Sequence, residues 1–247
     1  MASYYDDPHY SYLDYWTSRK YEHESEVLAI NRLLSGQKFS SAVDIGGGFG
    51  RLIPVLSQYA KKVILIEPSL KLQAQAKKQL PKSISVLPGT AQKTRLPDHS
   101  QNLVQIIRVI HHLPEPRPTF IELGRILKPG GYLLLEFANS ANFKAQIKSF
   151  VTGKPILPIA IDLRSAKNIR RKSIPFVNHH PHAIKKLLRQ TGFEIIRTLS
   201  VSNFRSPFLK KILPLPVLLG LESFSQSFLS RFHFGPSIFI LARKLDK

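Results

Sequence analysis

Four glycines in five residues follow an acid in the stretch AVDIGGGFGRL, residues 42–52. Glycine-rich turns between a strand and a helix often bind nucleotide-like ligands, because a backbone without side chains can approach the ligand closely. A triphosphate loop would need a Lys-Ser or Lys-Thr pair at the helix start, and a dinucleotide loop would need the spacing G-x-G-x-x-G. Neither pattern fits in any register, since the residues at the deciding positions are Phe49, Arg51 and Ile53.

The spacing that does occur is acid-x-G-x-G-x-G, formed by Asp44, Gly46, Gly48 and Gly50. It resembles motif I of the class I S-adenosylmethionine-dependent methyltransferases. Their cofactor carries an amino acid and a nucleoside but no pyrophosphate. The resemblance implies that Asp44 holds the ammonium of S-adenosylmethionine, directly or through water, while the glycines let the backbone pass close to the adenosine.

Other segments extend the resemblance over residues 38–140. Glu67 ends the strand-like VILIE, where this family places an acid on the ribose hydroxyls. The segments RLPDHSQNLVQIIRVIHHLPE and ELGRILKPGGYLLLEF are similar to the family's fourth-strand region and to its next helix, turn and fifth strand. The similarity is greatest to the group that includes ubiquinone/menaquinone biosynthesis methyltransferases. It implies further cofactor contacts at Thr90, Ala91 and Arg108, with Thr90 standing where the family has an acid or amide near the adenine.

The N-terminal segment YWTSRKYEHESE is similar to a helix that closes over the cofactor in this group. Methyl transfer is an in-line displacement at a sulfonium, so positioning can supply most of the catalysis. A general base is needed only if the acceptor must lose a proton, and His111 is the candidate for that role. The alternative for His111 and its neighbour His112 is a packed, hydrogen-bonded histidine.

Other chemistries are less compatible with the sequence. The chain has no cysteine, which excludes a cysteine nucleophile for cytosine methylation and thiolate metal sites. The stretch after the fourth strand lacks the Asn/Asp-Pro-Pro-aromatic pattern of enzymes that methylate adenine or glutamine amino groups. In NHHPH, residues 178–182, adjacent histidines and a proline make poor chelate spacing, so we expect no metal there and a cap for the following helix instead.

The elements that must position these residues alternate between strand-like and helix-like patterns over residues 22–137. This alternation predicts βαβ units on a parallel sheet. The expected fold is α/β, a Rossmann-like methyltransferase sandwich with a mostly parallel seven-stranded sheet and helices on both faces. We expect one domain over residues 1–247, with a cofactor-binding core at 38–140. Two irregular, basic insertions, at 141–178 and 203–234, are expected to shape the substrate site.

Charge is distributed unevenly along the chain, whose formal net charge is +20. Residues 140–247 hold 19 Lys/Arg and 4 Asp/Glu, against 17 and 12 in residues 1–139. Such a field favours an anionic partner, whether a membrane surface, an acidic substrate or nucleic acid, although a solvated basic surface is an alternative. The second insertion interleaves Phe and Leu with Arg and Lys, which suits a lid, an interfacial helix or, less well, a nucleic-acid platform.

These patterns predict S-adenosylmethionine-dependent methyl transfer to a small-molecule or lipid-like acceptor. An RNA methyltransferase and a catalytically inactive methyltransferase-like binding protein are the alternatives. No apolar run is long enough to span a bilayer, so we expect no transmembrane segment. We expect a cytoplasmic protein that can be peripheral to an anionic membrane.

Overall fold

The computed structural model describes residues 4–7, 9, 11–170 and 173–246. The helices are α1 (Tyr12–Thr17), α2 (Lys20–Leu33), α3 (Ile53–Leu56), α4 (Leu70–Gln79), α5 (Arg117–Ile126), α6 (Phe143–Thr152), α7 (Ala166–Arg170), α8 (Pro181–Gln190), α9 (Pro207–Ile212) and α10 (Leu215–Leu229). The strands are β1 (Phe39–Ile45), β2 (Ala60–Glu67), β3 (Ser85–Pro88), β4 (Gln101–Ile106), β5 (Leu127–Ala138), β6 (Ile161–Asp162), β7 (Val177–Asn178), β8 (Phe193–Val201) and β9 (Ser237–Lys244).

Seven strands form one sheet in the order β3-β2-β1-β4-β5-β9-β8. The first five are parallel, and β9 runs antiparallel to both β5 and β8. The predicted mostly parallel seven-stranded sheet is therefore confirmed. The chain reverses its order between β1 and β4, and ligands of open α/β sheets bind beyond the carboxyl ends of the strands at such a point.

The central strands are apolar on both faces because helices cover both faces. One buried cluster packs α2, α3 and α4 against the sheet, through residues such as Ile30, Leu56 and Ala76. A second cluster packs α5 and α8 on the other side, through Phe120 and Leu188. The expected helices on both faces are confirmed, and the sheet holds the strand ends at fixed positions.

The insertions are more regular than the sequence patterns predict. Residues 141–178 contain α6, and residues 203–234 contain α9 and the 15-residue α10. Pro214 and Pro216 stand at the start of α10, where proline is tolerated and fixes the helical φ. The inward face of α10 is largely polar, since Glu222 accepts from Tyr21 at 2.7 Å, and this face hides the helical period from a hydrophobic pattern.

Candidate cofactor and acceptor site

The glycine loop runs from the end of β1 to the start of α3. Gly46, Gly48 and Gly50 have φ values of +67°, +62° and +89°, in the left-handed region that favours glycine. A side chain at Gly47 would come within 2.4 Å of the Asp44 Oδ2 atom, and one at Gly48 within 3.0 Å of the Tyr12 ring. Glycine is required both for the turn and for the close approach of neighbouring groups.

Asp44 lies on β1 and is 2% exposed. Its Oδ1 accepts a hydrogen bond from Gln105 Nε2 at 3.0 Å, whereas no residue of the described part of the chain donates to its Oδ2. Burial raises the pKa of Asp44 to about 7, although Gln105 and Arg51 act in the opposite direction. A cation beside Oδ2 would offset the desolvation of this carboxylate.

Glu67 ends β2, the neighbour of β1. Its Oε2 accepts from Gly48 N and its Oε1 from Ser69 N, both at 2.9 Å. A carboxylate oxygen can accept two hydrogen bonds, so each keeps room for one more donor. Burial raises the pKa of Glu67 to about 7, and the charges of Asp44 and Asp6 add to this. The paired acceptors match the two hydroxyls of a cis-diol.

Thr90 and Ala91 follow β3, which pairs with β2 so that Glu67 lies opposite Pro88. Thr90 is exposed, and its hydroxyl oxygen accepts from Lys93 N at 3.1 Å, which closes a tight turn. Ala91 is buried in the core. The turn therefore stands beside Glu67, and the Thr90 hydroxyl keeps its proton for an outside acceptor.

Arg108 follows β4 and is tied to α2 by a buried carboxylate that the sequence patterns do not identify. Glu26 Oε1 accepts from Arg108 Nε at 2.6 Å, and Glu26 Oε2 accepts from Arg51 Nη2 at 2.6 Å. Burial opposes ionisation of Glu26, but Arg108 and Arg51 hold its pKa below the usual value. Glu26 thus connects the glycine loop to the end of β4. The feature of the sequence that could have identified Glu26 is an acid at a position that the helical period of α2 places in the core.

His111 and His112 form a short turn after β4, and their surroundings differ. His112 Nδ1 donates to the Pro175 carbonyl, so its Nε2 accepts from the Tyr5 hydroxyl, both at 2.8 Å. The His111 ring packs on His112 and on Phe176, and it makes no hydrogen bond within the described residues. Burial, followed by the charges of His112 and Arg108, holds the pKa of His111 well below its usual value. His111 is neutral at pH 7.

The histidines of NHHPH have separate structural roles. His179 Nε2 donates to the Ile110 carbonyl at 3.2 Å and is buried. His180 is the N-cap of α8 and accepts from His182 N at 3.2 Å, which confirms the predicted helix cap. Within the described ranges, no cluster of His, Cys, Asp or Glu has the arrangement of a metal site.

Helix α1 lies on the glycine loop. The Tyr12 ring is 5.9 Å from the Phe49 ring, and the Trp16 ring lies 3.6 Å from the Arg51 guanidinium carbon. Trp16 also faces Arg108, at 5.7 Å, and is buried. A cation stacked on an indole stabilises such a contact by about 0.5–2 kcal/mol. The N-terminal segment therefore covers part of the glycine loop.

A cavity of about 940 Å³ lies between α2, α6 and the segment from β8 to α9. Its wall combines apolar residues, such as Phe143 and Phe204, with the cations Arg19, Lys144, Arg205 and Lys210. Lys210 pairs with Glu22 at 2.5 Å. Within the described residues, Arg19 and Arg205 form no ion pair. Burial and the charge of Arg108 lower the pKa of Arg205, whereas the charge of Glu22 acts in the opposite direction.

Residues 43–135 match the family described as methyltransferase domain. The chain is 30% identical over 115 residues to an uncharacterised methyltransferase of Schizosaccharomyces pombe, covering 42% of this chain and 41% of that protein. It is 27% identical over 111 residues, 44% of each chain, to a ubiquinone/menaquinone biosynthesis C-methyltransferase of Rubrivivax gelatinosus. The chain spans less than half the length of these relatives.

Solved structures resemble the whole fold. An S-adenosylmethionine-dependent methyltransferase of Thermotoga maritima has a TM-score of 0.61 at 20% identity, covering 94% of this chain and 93% of that one. Another, from Mesorhizobium loti, has a TM-score of 0.61 at 18% identity, covering 89% and 98%. At these identities the likeness shows the fold alone. Among the described residues, no helix is long and apolar enough to cross a membrane.

S-adenosylmethionine is the cofactor of this family, and the donor set at the strand ends fits its chemistry. Asp44 Oδ2 is an acceptor without a donor among the described residues, in a buried carboxylate that an ammonium would neutralise. Glu67 presents two oxygens with capacity for the ribose hydroxyls. The matched segment over residues 43–135, the fold and this donor set are together similar to those of the class I S-adenosylmethionine-dependent methyltransferases.

Proposed function

We propose that the chain transfers a methyl group from S-adenosylmethionine to a small-molecule or lipid-like acceptor bound in the cavity described above. The observation that carries the proposal is the pair of buried carboxylates, Asp44 and Glu67, at the ends of adjacent strands. Gly48 links them, because its amide donates to Glu67 while the neighbouring Gly47 lies against Asp44. Two buried acids with raised pKa values in a ligand crevice are typical of a functional site.

The side chains have distinct roles in this proposal. Asp44 binds the ammonium and Glu67 accepts from both ribose hydroxyls, while Thr90 and the buried Ala91 lie beside the nucleoside. Tyr12 and Trp16 of α1 exclude water from the strand ends. The bound sulfonium supplies an electrophilic methyl carbon, which an acceptor lone pair attacks in line while the C–S bonding electrons remain on sulfur.

Arg108 and His111 follow β4, and in this proposal they lie between the cofactor and the acceptor. Arg108 is fixed by Glu26 and cannot lose its charge, so it orients rather than transfers protons. His111 is neutral and able to accept a proton, but its low pKa makes it a poor base near pH 7. An acceptor atom that is already nucleophilic, or that loses its proton to water, fits this site best.

The cavity wall supports an amphiphilic, anionic acceptor. Arg19 and Arg205 form no ion pair among the described residues, although the charge of Glu22 acts on Arg205, and an anion would further relieve the like charge between Arg205 and Arg108. Phe143 and Phe204 supply an apolar surface for the body of the molecule. A volume of about 940 Å³ is sufficient for a lipid-like molecule. The cysteine-free sequence supports a reducing, cytoplasmic location.

Incubation with methyl-labelled S-adenosylmethionine and fractionated lysate tests the proposal. We expect label in anionic small molecules or lipids, and loss of labelling in the variant Glu67→Gln but not in Glu194→Gln, an exposed acid on β8. Label that enters RNA would favour the RNA methyltransferase. Normal cofactor binding with no label in any fraction would favour an inactive binding protein.

A further inference from the structure

The two insertions carry most of the exposed apolar side chains of the described chain. Residues 141–178 and 203–234 account for 17 of its 24 exposed large hydrophobic residues. These insertions are less than a third of the sequence, so the exposure is concentrated rather than scattered. A concentrated apolar surface in a folded protein marks a place of interaction.

Helix α6 contributes one face of this surface and has no buried residue. Phe143, Ile147, Phe150 and Val151 recur at helical spacing, and Phe150 is 91% exposed. The start of α6 is anchored, because Phe143 stacks on Phe234 at 4.6 Å and Gln146 Nε2 donates to the Phe232 carbonyl at 2.6 Å. The helix is therefore held in place with its apolar end directed outward.

Helix α9 also exposes apolar side chains. It too has no buried residue, and Phe208 and Ile212 are exposed one turn apart. Lys210 and Lys211 lie between them, with Lys211 exposed and Lys210 paired to Glu22. Apolar side chains with lysines alongside are typical of helices that lie in a membrane interface.

The two helices flank the cavity. Phe143 and Ile147 of α6 and Leu209 and Lys210 of α9 form parts of its wall. Phe150 and Ile212, which follow these wall residues on the two helices, are exposed. A surface that touches both helices would also lie next to the cavity opening.

The net charge of the insertions indicates what kind of partner this apolar surface binds. Residues 141–178 hold eight Lys/Arg and one acid, and residues 203–234 hold four and one. The acid of the second insertion, Glu222, is buried and accepts from Tyr21. Among the described exposed residues the balance is strongly positive, so the partner must be anionic.

We propose that α6 and α9 dock the chain on an anionic lipid bilayer, with their apolar side chains in the interface and their lysines at the lipid phosphates. The exposed set includes aliphatic residues such as Val151 and Ile212, which offer nucleic-acid bases no stacking surface but insert readily among acyl chains. Docked in this way, the cavity faces the layer from which a lipid-like acceptor would enter. The inference extends the proposed function, but the binding itself needs no methyl transfer.

Co-sedimentation with vesicles tests the proposal without any activity readout. We expect the full chain to bind vesicles of mixed phosphatidylcholine and phosphatidylglycerol and to bind pure phosphatidylcholine weakly. The double variant Phe150→Ser/Phe208→Ser should weaken binding by about tenfold or more, because two apolar anchors are lost. Ile121→Ser, at an exposed apolar residue on α5 outside the insertions, is the control and should bind like the wild type.

The charge contribution is tested separately by Lys148→Glu/Lys211→Glu, with Lys77→Glu on α4 as its control. All variants are exposed, and thermal unfolding with cofactor calorimetry on the same samples verifies folding and the cofactor site. Equal binding of the Phe150→Ser/Phe208→Ser variant and the wild type would overturn the proposal. Retention on RNA without retention on anionic vesicles would do the same. Vesicle binding with no cofactor affinity would refute the proposed function and leave the docking surface intact.

Discussion

Asp44 and Glu67 are single residues whose ionised forms are unfavourable in the free protein and become favourable when a ligand binds. Each is buried at a strand end, and burial raises each pKa to about 7. In the absence of a ligand the ionised forms are poorly solvated, so charge on these residues opposes folding. A bound cation or a pair of hydroxyl donors replaces the lost solvation. The ionised forms of the two acids are therefore more stable in the complex than in the free protein.

This arrangement predicts opposite pH dependences for stability and for cofactor binding. The folded pKa values lie above the unfolded ones, so the folded protein holds more protons and the unfolding free energy falls as pH rises from about 4 to about 7. Cofactor binding needs the ionised acids, whose fraction falls from roughly 90% at pH 8 to roughly 10% at pH 6. Calorimetry should therefore show a dissociation constant about tenfold or more higher at pH 6. A pH-independent constant would contradict this.

A second prediction at the residue scale concerns the role of His111 as a base. Because its pKa lies well below the usual value, we expect it to contribute little as a base. His111→Gln should lower kcat by less than about tenfold, whereas loss of a true general base lowers it by about 10²–10⁴. The pH profile of kcat should keep its shape. A larger loss together with an altered profile would show that His111 takes the proton.

At the scale of elements, Glu26 fastens α2 to the glycine loop and to the end of β4. It binds Arg51 and Arg108 through different oxygens, and its own side chain is inaccessible to solvent. Hydrophobic periodicity places such a position in the core and gives no reason for an acid there. The residue becomes intelligible only when the sheet brings the two arginines, 57 positions apart in the sequence, to the same carboxylate.

Glu26→Gln should destabilise the protein, because it leaves two partly buried arginines without their counter-charge. We expect a loss of about 2–4 kcal/mol in the free energy of unfolding by urea, allowing for the partial exposure of both arginines. Glu24→Gln on the same helix lacks these partners and is the control. A loss no greater than that of the control would show that the ion pairs are dispensable.

Sequence patterns predict the elements of the sheet core better than those of the insertions. The strands of the core are continuous apolar runs, and the glycine loop is restricted by both its φ values and its spacing. Hydrophobic patterns do not predict helix α10, because the residues that it buries include Glu222 and Gln226, which bond to Tyr21 and Ser25 far away in the sequence. Such partners are defined only by the folded chain.

At the scale of the whole molecule, the proposed function gives the two halves of the chain different roles. The groups of the proposed cofactor site lie between residues 44 and 108, and most of the excess positive charge of the chain lies after residue 140. The cavity joins the halves, since Arg19 comes from the N-terminal segment and Arg205 from the second insertion. If the cavity binds the acceptor as proposed, acceptor choice depends on residues distant from the glycine loop in the sequence.

The double variant Arg19→Ala/Arg205→Ala tests this division. We expect the KM for an anionic acceptor to rise by about tenfold or more, with little change in the affinity for S-adenosylmethionine, because the cations would bind only the acceptor. Arg197→Ala, an exposed arginine on β8, is the control. A fall in cofactor affinity equal to the change in KM would show that these arginines belong to the cofactor site instead.

The central claim is that Asp44 and Glu67 hold the two polar ends of S-adenosylmethionine. Calorimetric titration of wild type, Asp44→Asn, Glu67→Gln and the control Glu194→Gln at pH 8 tests it most directly. We predict that each site variant weakens binding by about tenfold or more, the usual loss when a charged hydrogen-bond partner is removed, while the control binds normally. Wild-type affinity in both Asp44→Asn and Glu67→Gln would contradict the site assignment.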